Sequence, residues 1–307
     1  VNSGAGDVSL TENDNIAIAG ITRTSGNVTL NAGTNNITQS GVISIASGTI
    51  GLTGSTITLG SANILGNVTV NTGAGDVSLT ENDNIAIAGI TRTSGNVTLN
   101  AGTNNITQSG AISIASGTIG LTGSTITLGS ANVLGNVTVN SGAGDVSLTE
   151  NDNIAIAGIT RTSGNVTLNA GTNNITQSGA ISIASGTIGL TGSTITLGSA
   201  NVLGNVTVNS GAGDVSLTEN DNIAIAGITR TSGNVTLNAG TNNITQSGAI
   251  GITNAGGLTL TGSAITLTDS GNILGNVTVN SGAGDVSLTE NDNIAIAGIT
   301  RTSGNVT

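Results

Sequence analysis

Along the chain, single Val, Ile and Leu residues alternate with Thr, Ser, Asn and Gly in short bursts. From the start these are DVSL (Asp7 to Leu10), NIAI (Asn15 to Ile18), NVTL (Asn27 to Leu30), NIT (Asn36 to Thr38) and VISI (Val42 to Ile45). TIGL (Thr49 to Leu52), TITL (Thr56 to Leu59), NIL (Asn63 to Leu65) and NVTV (Asn67 to Val70) follow. Alternation with a period of two predicts β-strands. Gly, Asn and Ser separate the bursts, as in AGTNN and LTGS, and predict tight turns. No stretch sustains a helical apolar period, and the density of Gly and β-branched residues disfavours helix.

The whole pattern that opens at Val1 opens again at Val70, Val139, Val208 and Val279. Repeats therefore run over 1–69, 70–138, 139–207 and 208–278, with a partial copy at 279–307. A fixed long period means stacked units, so the chain reads as one all-β array, a right-handed parallel β-helix (β-solenoid). Nine bursts per repeat suggest about three coils of three strands each. Coils would begin near Gly26, Gly48 and Gly66, and the third, from Gly66 to Ser94, is the longest and must bulge. At about 4.8 Å per coil the repeat would advance roughly 14 Å and the chain roughly 64 Å.

The fourth repeat tests this grammar, because it is longer than its predecessors, spanning 208–278 where the third spans 139–207. Its extra residues fall near Thr253–Gly256 and Thr268–Gly271, while Ile252, Leu258, Leu260, Ile265 and Leu267 keep the apolar positions. Turns absorb insertions and a packed interior does not.

Composition narrows the function. There is no Met, Cys, Pro, His, Lys, Trp, Tyr or Phe, and 16 acidic residues stand against 5 arginines, a net charge of −11. An acidic surface disfavours nucleic acid and anionic membranes. No apolar run is long enough to insert in a bilayer. A chain opening on Val in mid-pattern reads as an excerpt of a longer array.

The acidic residues are the one polar constellation. Asp7, Glu12 and Asp14 recur as Asp76, Glu81 and Asp83, then as Asp145, Glu150 and Asp152, and so on around each TENDN turn. Oxygen ligands in a turn suit calcium, which makes Asp76, Glu81, Asp83, Asp145, Glu150 and Asp152 the weak metal candidates. The plainer reading is a solvated loop that keeps the surface soluble. One arginine per repeat (Arg23, Arg92, Arg161, Arg230, Arg301) is expected to pair with a neighbouring carboxylate at the surface. Paired carboxylates alone, with no His, Lys or Tyr and no aromatic sugar platform, argue against an enzyme. No cofactor other than calcium is suggested. Outward Thr residues could form an ice-binding array, or simply reflect strand preference. The NVT and NIT triplets (Asn27, Asn36, Asn67 and copies) match the glycosylation acceptor pattern and follow from the Asn-turn-then-strand grammar.

Segments such as GNVTLNAGTNNITQSG and GAGDVSLTENDNIAIAG resemble the β-helical shafts of filamentous haemagglutinin-like exoproteins, bacterial surface adhesins secreted by the two-partner route. The resemblance covers essentially the whole chain and carries no functional residue. It implies a secreted, cell-surface structural protein, an adhesin shaft or extracellular filament. Its target, a host or neighbouring-cell surface, would be met by regions outside this sequence. Open coil edges would favour end-to-end or lateral self-association. The alternative is a repetitive binding module for ice or calcium.

Overall fold

The computed structural model describes residues 4–140, 142–209, 211–254, 256–280 and 282–307, none of them helical. Two compact units, Val1–Asn151 and Asp152–Thr307, are each a parallel β-solenoid.

In the first unit the strand Val8–Thr11 pairs with Val28–Asn31, then Thr49–Thr53, then Asn67–Val70. The inward residues of this face stack like on like: Val8, Val28, Ile50 and Val68 in one column, Leu10, Leu30, Leu52 and Val70 in the next. The other face stacks Ile16, Ile37, Ile57, Val77, Val97, Ile119 and Val137. Branched side chains pack well on a pleated surface, and each buried one contributes about 1.5–3 kcal/mol.

These ladders refine the coil in two ways. Coils close after 20, 22 and 18 residues, as cross-coil bonds at those separations show. Each coil has two sides rather than three strands. NIAI and the following ITR form one bent side: in the second repeat a single strand, Ile85–Arg92, covers both. NIT joins VISI, and TITL joins NIL, in the same way. Nine bursts therefore become seven sides, alternately short and long, and the repeat holds the three expected coils and a further half.

An odd number of sides has a geometric consequence. Val77 is the repeat copy of Val8, yet it stacks between Ile57 and Val97 on the opposite face. In the second unit Val215 stacks with Ile195 and Val235, while its copy Val286 stacks with Ile265 on the other ladder. Successive repeats are thus turned by half a coil. The segment from Gly66 to Ser94 is not one swollen coil but a coil and a half. Its register shifts, at Leu79/Glu81 and Ile87/Gly89, lie where a long side stacks on a short one. At the strand spacing, a repeat advances about 17 Å rather than 14 Å.

Gly26, Gly48 and Gly66 do mark a corner, and the reason is contact. A Cβ on Gly48 would lie 2.1 Å from the Gly26 carbonyl oxygen, and φ there is +144°. In the fourth repeat the apolar positions stay buried as expected. One extra residue sits in the turn Asp269–Gly271, which shortens the long-side strand from Ile57–Asn63 to Ile265–Leu267. The other falls in the segment Thr253–Gly256, where Ala255 lies outside the described residues and Asn254 takes φ 58°.

Candidate functional site

The polar side chains that the sequence offers for chemistry gather where a long side meets a short one, once per repeat. The long side built on Ile57–Asn63 continues to Leu65, but the short side stacked on it ends at Glu81. The Leu65 N–H would then lack a backbone acceptor, and buried donors must be satisfied. Glu81 folds over the gap and its Oε2 accepts that N–H at 3.0 Å. Only 4% of Glu81 remains exposed, and its Oε1 is buried without a hydrogen-bond donor among the described residues. Burial pushes the Glu81 carboxyl up to about 8, the Leu65 N–H opposes this, and neighbouring Asp83 adds to it. Glu219 over Leu203, beside Asp221, repeats the arrangement and is also raised to about 8.

Asn63 fills the same seam, fully buried. Its Oδ1 accepts from the Ile43 N–H and the Gln39 Nε2, both at 2.9 Å. Its Nδ2 donates to Gln39 Oε1 at 2.8 Å and Thr80 O at 3.1 Å. In the sequence Asn63 reads only as the residue that opens the NIL burst. The available signal was the single Gln per repeat, 24 residues before this Asn in the first three repeats and 26 before it in the fourth.

At the other end of the seam the long strand Ile85–Arg92 overhangs the short strand Asn67–Val70. Arg92 closes this gap from inside, only 1% exposed. Its Nη1 donates to Gly54 O at 3.1 Å and Asn71 O at 3.4 Å, and its Nη2 to Gly75 O at 2.8 Å and to Ser55 O. One guanidinium thus ties together the turns of successive coils. Arg230 repeats this on Gly192, Ser193 and Gly213. The expected surface ion pair is therefore corrected: the planar fork of donors binds backbone carbonyls in the interior. Burial lowers the Arg92 pKa, and the charge of Asp76 counteracts that.

The calcium candidates divide by role. Asp76 is exposed, and its Oδ1 accepts the Asn96 N–H at 2.8 Å, pinning the next coil's corner. Glu81 is sealed at the seam, so the solvated-loop reading fails for it, whereas Asp83 stays exposed. Glu150 accepts the Leu134 N–H at 3.1 Å, and Asp145 and Asp152 are exposed. Among the described residues no group of three or more His, Cys, Asp or Glu is placed to hold a metal ion. Small recesses recur at the corners, as at Gly102, Thr103, Ser124, Gly142 and Ala143. These recesses run from about 140 Å³ here to about 300 Å³ at the copy around Gly240 and Ala283, against the roughly 300 Å³ at which small-molecule pockets begin.

Residues 5–72, 74–141, 143–210 and 212–278 each match the family described as "Repeats of unknown function (DUF5649)". The chain belongs to this family. No curated protein and no solved structure matches it. The boundaries of the DUF5649 matches fall inside the seams: Asn63 and Leu65 belong to the first matched segment, Glu81 and Arg92 to the second. The bonds of Leu65 to Glu81, Asn63 to Thr80 and Arg92 to Gly54 therefore join one DUF5649 repeat to the next.

Proposed function

We propose that the chain is a structural spacer, the shaft of an extracellular adhesin or filament, lengthened by copying the repeat. The observation that carries this reading is the use of the seam residues. Glu81, Asn63 and Arg92, the groups best suited to chemistry, bond backbone and amides of neighbouring coils. A stack held by nearest-neighbour bonds grows without redesign. The strand-turn rhythm shared with haemagglutinin-like shafts supports placement outside the cell. Electron microscopy of arrays of two, three and four repeats tests the proposal. Particles should lengthen by about 17 Å per repeat at constant width, from three and a half coils at the strand spacing. Particles that grow in all directions would refute it.

A further inference from the structure

Each repeat carries three Asn-X-Thr triplets, and the fold treats them differently. Residues two apart in a strand share a face. Asn67 and Thr69 accordingly both point outward while Val68 is buried. At Asn27 the Oδ1 accepts the Thr49 N–H at 3.1 Å and the Thr49 Oγ1–H at 2.8 Å. At Asn36 the Oδ1 accepts the Thr56 N–H at 3.1 Å. Both amides therefore hold the coil above. Asn67 has no such duty, because the next coil sets Ala86 against it, with no hydroxyl to offer. Its exposed side chain makes no hydrogen bond among the described residues, and the same holds for Asn136, Asn205 and Asn276. Asn205 and Asn276 also face alanines, Ala224 and Ala295.

We propose that Asn67, Asn136, Asn205 and Asn276 are N-glycan acceptor sites. The co-substrate class is a sugar activated on a pyrophosphate carrier. The Asn Nδ2 bonds to the sugar C1 as the C1–O bond to the phosphate breaks. The electron pair leaves with the carrier, and Nδ2 gives up one proton. A sugar at these positions displaces no cross-coil bond, whereas one on Asn27 or Asn36 crowds the amide that holds the next coil. The half-coil turn then sets the pattern of decoration. Asn67 lies on the ladder of Val8 and Asn136 on that of Val77, so within the first unit the glycans stand on opposite faces. Within the second unit Asn205 and Asn276 alternate likewise. Both faces would be shielded against lateral pairing.

The test secretes the full chain from a eukaryotic host with N-glycosylation and collects the fraction that melts cooperatively. Peptide-N-glycosidase in heavy-oxygen water then marks each occupied Asn as labelled Asp for mass spectrometry. The expected result is at least several-fold higher occupancy at the four sites than at Asn27, Asn36 and the copies that likewise hold a coil above them, Asn96, Asn105, Asn165, Asn174, Asn234 and Asn243. Joint Thr69→Ala, Thr138→Ala, Thr207→Ala and Thr278→Ala substitution should remove the label without lowering the melting temperature. Asn67→Gln with its three copies gives an independent version of the same readout. Folded product unlabelled at the four sites, or labelled equally at Asn27 and Asn36, would overturn the proposal.

Discussion

At the scale of single residues, the buried carboxyl is the feature with the sharpest consequence. Glu81 and Glu219 have pKa values raised from 4.5 to about 8 by burial. Between those limits the folded chain holds a proton that the unfolded chain has released. Stability is then fully present below about 4.5 and is lost as pH rises through about 8, the reverse of an ordinary salt-bridged carboxylate. Each pKa unit corresponds to about 1.4 kcal/mol, so the effect per glutamate is on the order of a few kcal/mol. The melting temperature should fall steadily from pH 5 to pH 8.5. Joint Glu81→Gln, Glu150→Gln, Glu219→Gln and Glu290→Gln substitution keeps an oxygen acceptor for the Leu65-type N–H and should flatten that slope. An unchanged slope in this variant would show that the seam carboxyls are not protonated. Neither Glu81 nor Arg92 announced its burial in the sequence. Both are charged types that are almost never fully buried unless paired, and what draws them inward is an orphaned backbone group that only the assembled stack creates.

At the scale of strands and turns, alternation and punctuation made nearly everything legible. The inward positions Val28, Leu30, Ile50 and Leu52 are those that a period of two selects, and the corners at Gly26, Gly48 and Gly66 are where the composition put them. What alternation could not reveal was which bursts join. NIAI and ITR look like two strands because Gly20 interrupts them in sequence, but Ile85–Arg92 shows that the break is only a bend. The same logic predicts which lengths and sizes the elements tolerate. Gly48→Ala forces a Cβ against the Gly26 carbonyl at 2.1 Å in a left-handed conformation, so it should cost about 1–3 kcal/mol, read by urea unfolding. One residue inserted after Ser61, where the fourth repeat carries Asp269–Gly271, should change stability by less than about 0.5 kcal/mol. Equal losses from the two changes would mean that the corner, not the glycine contact, sets the cost.

At the scale of the repeated body, the odd half-coil decides what can fold alone. The long period was plain from the letters, but its division into seven sides was not, since neither strand count nor turn count reveals which face a strand joins. Because the repeat inverts, its ends do not meet its own beginning on the same face. They meet the beginning of the next repeat across the seam, through Leu65–Glu81 and the Arg92 bond to Gly54. A fragment of one repeat, residues 70–138, keeps Glu81 and Arg92 but lacks Leu65, Gly54 and Ser55. It would leave the carboxyl without its N–H donor and the guanidinium with only Asn71 and Gly75 of its four acceptors, and ordering about 20 residues per coil against a few buried aliphatic columns is unfavourable without further stacking. Residues 1–151 contain the partners for two seam glutamates, Glu81 with Leu65 and Glu150 with Leu134. Circular dichroism should therefore show a cooperative β-sheet melt for 1–151 and none for 70–138 at equal concentration. A monomeric 70–138 that melts cooperatively would mean that the aliphatic columns suffice by themselves. The seam would then be a register mark rather than the bond that makes copies into a stack.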